Sequence, residues 1–131
     1  MWIFKDREFT LDDRGEAIAF VYLITNLLSN KRYIGKKLFY SHKYKSVNKK
    51  RKKVKIESDW MDYWSSSEEL KSDVEKLGKD NFKREILILC NNKGTVNYLE
   101  AKLQMDNRVL ESDDWYNGII NCRVNKKHIK L

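Results

Sequence analysis

The sequence predicts an α+β fold, with a small central antiparallel β-sheet of about three strands flanked by helices. Three observations carry that expectation. Residues 18–24, "IAFVYLI", are apolar at nearly every position, as in a central strand buried on both faces. Residues 66–78, "SSEELKSDVEKLG", place Leu70, Val74 and Leu77 at i, i+4, i+7 between a serine cap and a glycine stop. After them come a second apolar strand, "FKREILILC", and a second helical pattern, "TVNYLEAKLQMDN".

Taken in order, "REFTLDDRG" reads as a short strand around Phe9 to Leu11 and a tight turn at Asp12 to Gly15. The strand at Ile18 to Ile24 then reverses through "NLLSN", and "KRYIG" returns as its partner, which makes a hairpin with Tyr22 and Tyr33 on paired strands. Residues 36–56 form a basic insertion or arm: ten lysines and arginines fall between Lys36 and Lys55. Such a run repels itself and reads either as a solvated charged face or as a phosphate-binding arm carrying Phe39, Tyr40 and Tyr44. Ser66 or Ser67 caps the first long helix, Glu68 and Glu69 suit its positive end, and Gly78 ends it. The next strand buries Ile86 to Leu89, "NNKG" turns the chain, and a helix runs from a Thr95 cap to about Asn107 with Val96, Leu99 and Leu103 on one face. The tail is irregular, with a short strand at Ile119 to Cys122.

Composition narrows the function. The 131 residues, 1–131, suit one domain with one core. Lys and Arg number 27 against 19 Asp and Glu, a formal charge of +8, which points to a polyanion and most simply to nucleic acid. Cys90 and Cys122 lack CxxC spacing, so neither a zinc site nor a disulfide framework is signalled and a reducing compartment is expected. No apolar run approaches the roughly 20 residues of a membrane span, so no membrane partner is expected, and "MWIFKDREF" lacks the apolar core of a signal peptide.

Order and chemistry then converge on a hairpin with two tyrosines, a basic segment, a helix, a strand, a helix bearing a glutamate, and a tail with asparagines. This pattern resembles the GIY-YIG nuclease superfamily. Phe20-Val21-Tyr22 stands for the first motif, with only the tyrosine matching the chemistry, and Tyr33-Ile34-Gly35 is an unaltered second motif. "GKDNFKREIL" and "NYLEAKLQ" are similar to the family's later strand and glutamate helix, and the whole is similar to small stand-alone bacteriophage endonucleases.

The resemblance implies a metal-dependent DNA endonuclease that hydrolyses phosphodiester bonds. One tyrosine, Tyr22 or Tyr33, would activate or relay the proton of the attacking water, and Glu100 would hold one divalent cation, Mg2+ or Mn2+. Lys36 and Lys37 would supply positive charge to lower the phenol of Tyr33. The family arginine after YIG is missing here. Lys36, with Tyr40 at i+4, is the preferred stand-in and Arg51 the competitor, with Lys43 nearer the usual distance. Tyr63 stands where relatives carry a phosphate-contacting His or Tyr, although "DWMDYW" also reads as a hydrophobic cluster packed by Trp60 and Trp64. His42 is a candidate proton carrier or an exposed loop histidine. With Lys37, Lys43 and Arg51, it forms the expected nucleic-acid contact set, to which Asn117, or else Asn121, adds the family's asparagine.

The expected partner is DNA, double-stranded, with a homodimer as one way to cut both strands. The expected location is the cytoplasm of a bacterium or of a phage-infected host. A noncatalytic nucleic-acid-binding protein that keeps the fold is the alternative, because the arginine is absent.

Overall fold

The computed structural model describes residues 1–131. Its principal sheet is mixed, not purely antiparallel, and has five strands rather than three. They are β1 (Ile3–Phe4), β2 (Arg7–Glu8), β3 (Ala19–Asn26), β4 (Arg32–Leu38) and β7 (Phe82–Cys90), in the order β2-β1-β7-β3-β4. The three long strands β4, β3 and β7 are the antiparallel sheet the sequence predicts, while β1 joins β7 in parallel through Ile3 and Glu85. The β1–β2 hairpin was not foreseen. Two-residue strands carry no periodicity, and their turn uses Lys5 and Asp6 at positive φ in place of glycine. The tight turn expected at residues 12–15 is the end of a one-turn helix, α1 (Leu11–Arg14), held by the Thr10 N–H donating to the Asp13 carboxylate at 2.8 Å.

Two layers cover the sheet. On one face Phe20, Tyr22 and Ile24 of β3 pack with Trp2, Phe9, Phe39 and Trp60 and with Leu70 and Val74 of α2 (Glu68–Leu77). On the other, Ala19 and Val21 pack with Ile34, Cys90 and Val96, the last from α3 (Lys93–Asp106), with Leu99 and Leu103 against them. Both helices begin on Asx or Ser caps: the Ser67 Oγ accepts from the Leu70 N–H, and the Asn92 Oδ1 accepts from the Thr95 N–H at 2.7 Å. The second cap therefore lies three residues before the Thr95 expected, because an asparagine already stands at the start of "NNKG".

A β-bulge interrupts the central pairing. Val21 faces Ile88 but Tyr22 faces Ile86, which leaves Leu87 as the extra residue. It turns Leu87 to solvent, so the buried run expected from Ile86 to Leu89 is broken, and it lets Ile86 and Leu89 both face the aromatic core. Bulges of this kind re-aim neighbouring side chains, and this one lies directly opposite Tyr22.

The basic segment is an ordered hairpin of its own, β5 (Tyr40–Val47) with β6 (Lys50–Glu57), outside the main sheet. It covers only part of the arm expected at residues 36–56, since Lys36 to Leu38 belong to β4, and it is paired into a ribbon through Asn48 and Lys49 at positive φ.

The tail makes no strand at residues 119–122. Instead, residues 114–117 run along the free edge of β4. Arg32 donates to Asp114 O and accepts from the Tyr116 N–H, and two residues on the Asn117 side chain accepts from the Ile34 N–H at 3.1 Å and donates to Ile34 O at 2.8 Å. Asn117 thus imitates one more strand residue where the backbone departs. Asn117→Ala leaves the Ile34 N–H without a partner, while Ile34 O keeps Gln104, and is expected to destabilise the fold by about 1–3 kcal/mol, read as a lower urea midpoint at unchanged slope.

Candidate active site

The residues that matter converge on Gly35, opposite Tyr22 in the β3–β4 pairing. Because side chains alternate along a strand, Tyr33 and Gly35 share the face of Tyr22. The two phenol rings lie 6.1 Å apart and nearly parallel, at 27°. Gly35 is the space into which they fit: a Cβ there would come within 2.5 Å of Tyr22 Cζ and 2.8 Å of Tyr33 Cε1. Tyr63, in the extended stretch before α2, closes the cluster edge-on to Tyr22 at 6.1 Å. The Tyr33 hydroxyl lies 3.2 Å from Ser66 Oγ.

Glu100 reaches the same place from the opposite layer. Residues 32, 34 and 36 turn their backbone groups to the free edge of β4. The tail takes Arg32, Asn117 takes Ile34, and Gln104 Nε2 adds a bond to Ile34 O at 2.9 Å. The next N–H along, that of Lys36, lies toward the Glu100 carboxylate and favours its charged form. Glu100 is half-buried, and burial pushes its carboxyl above the ordinary range, opposed by the Lys36 charge and by that N–H. Its charge in turn raises both Tyr22 and Tyr33, so the carboxylate and the two phenols form one electrostatic unit across the strand edge.

Alternation also decides what the lysines do. Lys36 projects with Ile34 toward α3, where its Nζ donates to Asn97 Oδ1. Lys37 shares the tyrosine face but sits 4.0 Å over the Tyr63 ring and 2.6 Å from Asp59. Neither lowers the Tyr33 phenol. Burial first, and Glu100 after it, push Tyr33 up, and burial pushes Tyr22 up further. The idea that these lysines activate Tyr33 is therefore corrected: Lys36 points to the opposite face, and Lys37, on the tyrosine face, is held by Asp59 and the Tyr63 ring.

The predicted site residues divide cleanly. Tyr22, Tyr33, Lys36, Lys37, Tyr63 and Glu100 are brought together. His42, Lys43 and Arg51 lie on the β5–β6 ribbon, and Arg51, paired with Ser46 near the turn, contacts Tyr44 rather than the tyrosine cluster. Lys36 and Tyr40 are not one helical turn apart, since they lie on two different strands, and Tyr40 stacks instead with Arg14 and Lys55. Asn117 is buried with its amide spent on Ile34, so a phosphate could reach it only by breaking both bonds. Trp60 is a core residue, as the alternative reading of "DWMDYW" held, while Tyr63 in the same stretch faces the site.

Three neighbours were not foreseen. Asn97 lies three residues before Glu100, hence on the same helix face, a spacing that could have flagged it. Ser66 directly precedes the helix cap. Arg84, buried on β7, donates to the carbonyls of Met61 and Tyr63 at 3.1 and 2.9 Å and stacks on Trp2 and Trp64. Burial lowers its guanidinium to about 10, so it stays charged at neutral pH and pins the segment that presents Tyr63. No sequence signal marks it.

The donor set fits a single hydrated divalent cation. Glu100 is one carboxylate, half-buried and bordered by Asn97, and no group of three or more His, Cys, Asp or Glu side chains that could hold a metal is formed.

One family model matches the chain, over residues 2–120. Its description reads "Putative endonuclease segE, GIY-YIG domain". No curated protein and no solved structure matches.

Proposed function

Because the chain belongs to the GIY-YIG endonucleases, enzymes that hydrolyse phosphodiester bonds in DNA, we propose that the group around Gly35 is its catalytic centre and that the reaction needs a divalent cation held by Glu100. The observation that carries this reading is the meeting of Tyr22 and Tyr33 over Gly35, with Asn97 and Gln104, the helix neighbours of Glu100, bonded to Lys36 and Ile34 of the same strand.

A cation bound at Glu100 would stabilise the leaving alkoxide and offset phosphate charge. The chain's own groups do the rest. Tyr33 and Tyr22 present hydroxyls over Gly35 to orient the attacking water and to take its proton toward solvent. Ser66 orients the Tyr33 hydroxyl. Lys36 stands in for the missing arginine as a point charge toward phosphate, without a guanidinium's two-pronged contact. Asn97 holds that ammonium in place.

Both phenols are raised, so the phenolate fraction at pH 7 is small. A base of that kind gains about tenfold in its active form per pH unit until its pKa is reached. The cleavage rate is therefore expected to climb from pH 7 to pH 9.5 without a plateau, and Tyr33→Phe to flatten the climb. A wild-type rate independent of pH would remove tyrosine from the base role.

The direct test is supercoiled plasmid with Mg2+, beside an EDTA control. Nicked or linear product that needs the metal supports the reading. DNA binding without cutting would favour a noncatalytic DNA-binding protein and point to the absent arginine as the reason.

A further inference from the structure

The β5–β6 ribbon does not contribute to the tyrosine cluster, yet it holds eight of the chain's lysines and arginines against one acidic residue, Glu57. Its two strands pair over all eight positions, so opposite residues share a face. One face carries Lys43, Lys45, Lys50 and Lys52. The other carries Tyr40, His42, Tyr44, Arg51, Lys53 and Lys55. From Lys43 to Lys53 every residue is exposed.

This ribbon is built against its own interest. Lys45 faces Lys52 directly, and like charges in that position weaken pairing. An isolated two-stranded ribbon is marginal even without that penalty. A polyanion on both flanks would relieve it.

The faces differ in what they can recognise. Lysines are flexible point charges suited to phosphate. On the other face Arg51 lies 4.5 Å over the Tyr44 ring and Lys55 lies 3.9 Å over Tyr40. Tyr40 also carries Arg14, so both rings are poor platforms for stacking a base where the cations lie, and Tyr44 holds the Arg51 guanidinium fork ready. A prepared fork of that kind matches the O6 and N7 acceptors of guanine, which face the major groove. Strands about 4.8 Å apart form a ribbon that the roughly 12 Å major groove admits and the roughly 6 Å minor groove does not.

Resting on the reading that the substrate is DNA, we propose that the β5–β6 ribbon enters the major groove of duplex DNA. Arg51 reads guanine there, and the lysine face, with Lys45 and Lys52, lies along phosphate. The ribbon is then the source of base preference in a chain whose catalytic centre contacts only backbone and water.

The test is methylation interference with the full chain and a duplex fragment in EDTA, because dimethyl sulfate marks guanine N7 in the major groove and adenine N3 in the minor. Guanine methylation is expected to block binding by the wild type. Arg51→Lys should lose that interference, with about tenfold weaker binding to the preferred fragment, while keeping its salt dependence. Lys45→Ala with Lys52→Ala should instead lower the slope of log affinity against log salt by about two and keep the guanine pattern. Interference confined to adenine N3, no interference at all, or a guanine pattern unchanged in Arg51→Lys each overturns the proposal. If the plasmid is still cut in those cases, only the ribbon inference falls. If the wild type neither binds nor cuts DNA, the underlying reading falls with it.

Discussion

Glu100→Gln is expected to lower Mg2+-dependent plasmid nicking by about 10²–10³-fold, the loss typical when one electrostatic stabiliser is taken from a reacting centre. Glutamine is the informative replacement because it keeps the size and shape of the glutamate side chain and an acceptor oxygen while losing the charge. Binding to duplex DNA in EDTA should persist or tighten, since a negative charge has left the phosphate site.

The same substitution has an expected signature in stability. Burial raises the folded Glu100 carboxyl above its ordinary 4.5, so the folded state holds that proton more tightly than the unfolded chain does. A raised carboxyl contributes stability that is present below the unfolded value and is lost as pH rises through the folded one. In metal-free buffer at pH 7 the glutamine variant should therefore melt above the wild type, with the difference shrinking as pH falls through the raised folded value and gone below about 4.5. A variant that loses nicking while gaining stability separates chemistry from misfolding. Full activity in Glu100→Gln would instead move the cation site elsewhere.

Gly35→Ala carries the second large effect. The added methyl would sit 2.5 Å from Tyr22 Cζ and 2.8 Å from Tyr33 Cε1, roughly 1 Å closer than carbon atoms tolerate. The Tyr22 ring has little room to retreat, because it is only 1% exposed and is braced by Trp2 at 5.3 Å and by Tyr63. Either the rings splay or the strands part. Overpacking of this sort costs about 1–3 kcal/mol, and a reactive group displaced by 1 Å loses about a hundredfold in rate. The expected result is a folded protein, with a lower urea midpoint, that nicks plasmid at about one-hundredth of the wild-type rate. An alanine variant cutting at the normal rate would show that the tyrosine pair does not need its present geometry. The glycine of Tyr33-Ile34-Gly35 is thus explained by close approach alone, without any requirement on its φ.

Much of this was legible in the chain. The run from Ile18 to Ile24 is continuously apolar, Ser67 and Gly78 bracket their helix, and Tyr22, Tyr33 and Glu100 stand in an order whose chemistry is recognisable before any fold is known. These features depend on local periodicity, capping and residue type, which a sequence states directly. Charge is equally plain: ten lysines and arginines fall between Lys36 and Lys55, whatever the shape of the segment.

What the chain alone left open depends on partners far away in sequence. The direction of Lys36 and Lys37 follows from the register of β4 on β3, and what Lys37 meets on the tyrosine face is Asp59 and Tyr63 from a distant segment. The bulge at Leu87 exists only in the pairing of two strands some 65 residues apart, so no count along β7 could have placed it. Asn117 reads as a candidate ligand until the tail is seen to run beside Ile34, where its amide completes a strand edge. Sequence by itself determined which chemical groups this protein owns and which segments carry them, because those are local properties. Only the tertiary structure decided which groups meet, since burial, register and edge closure are properties of pairs.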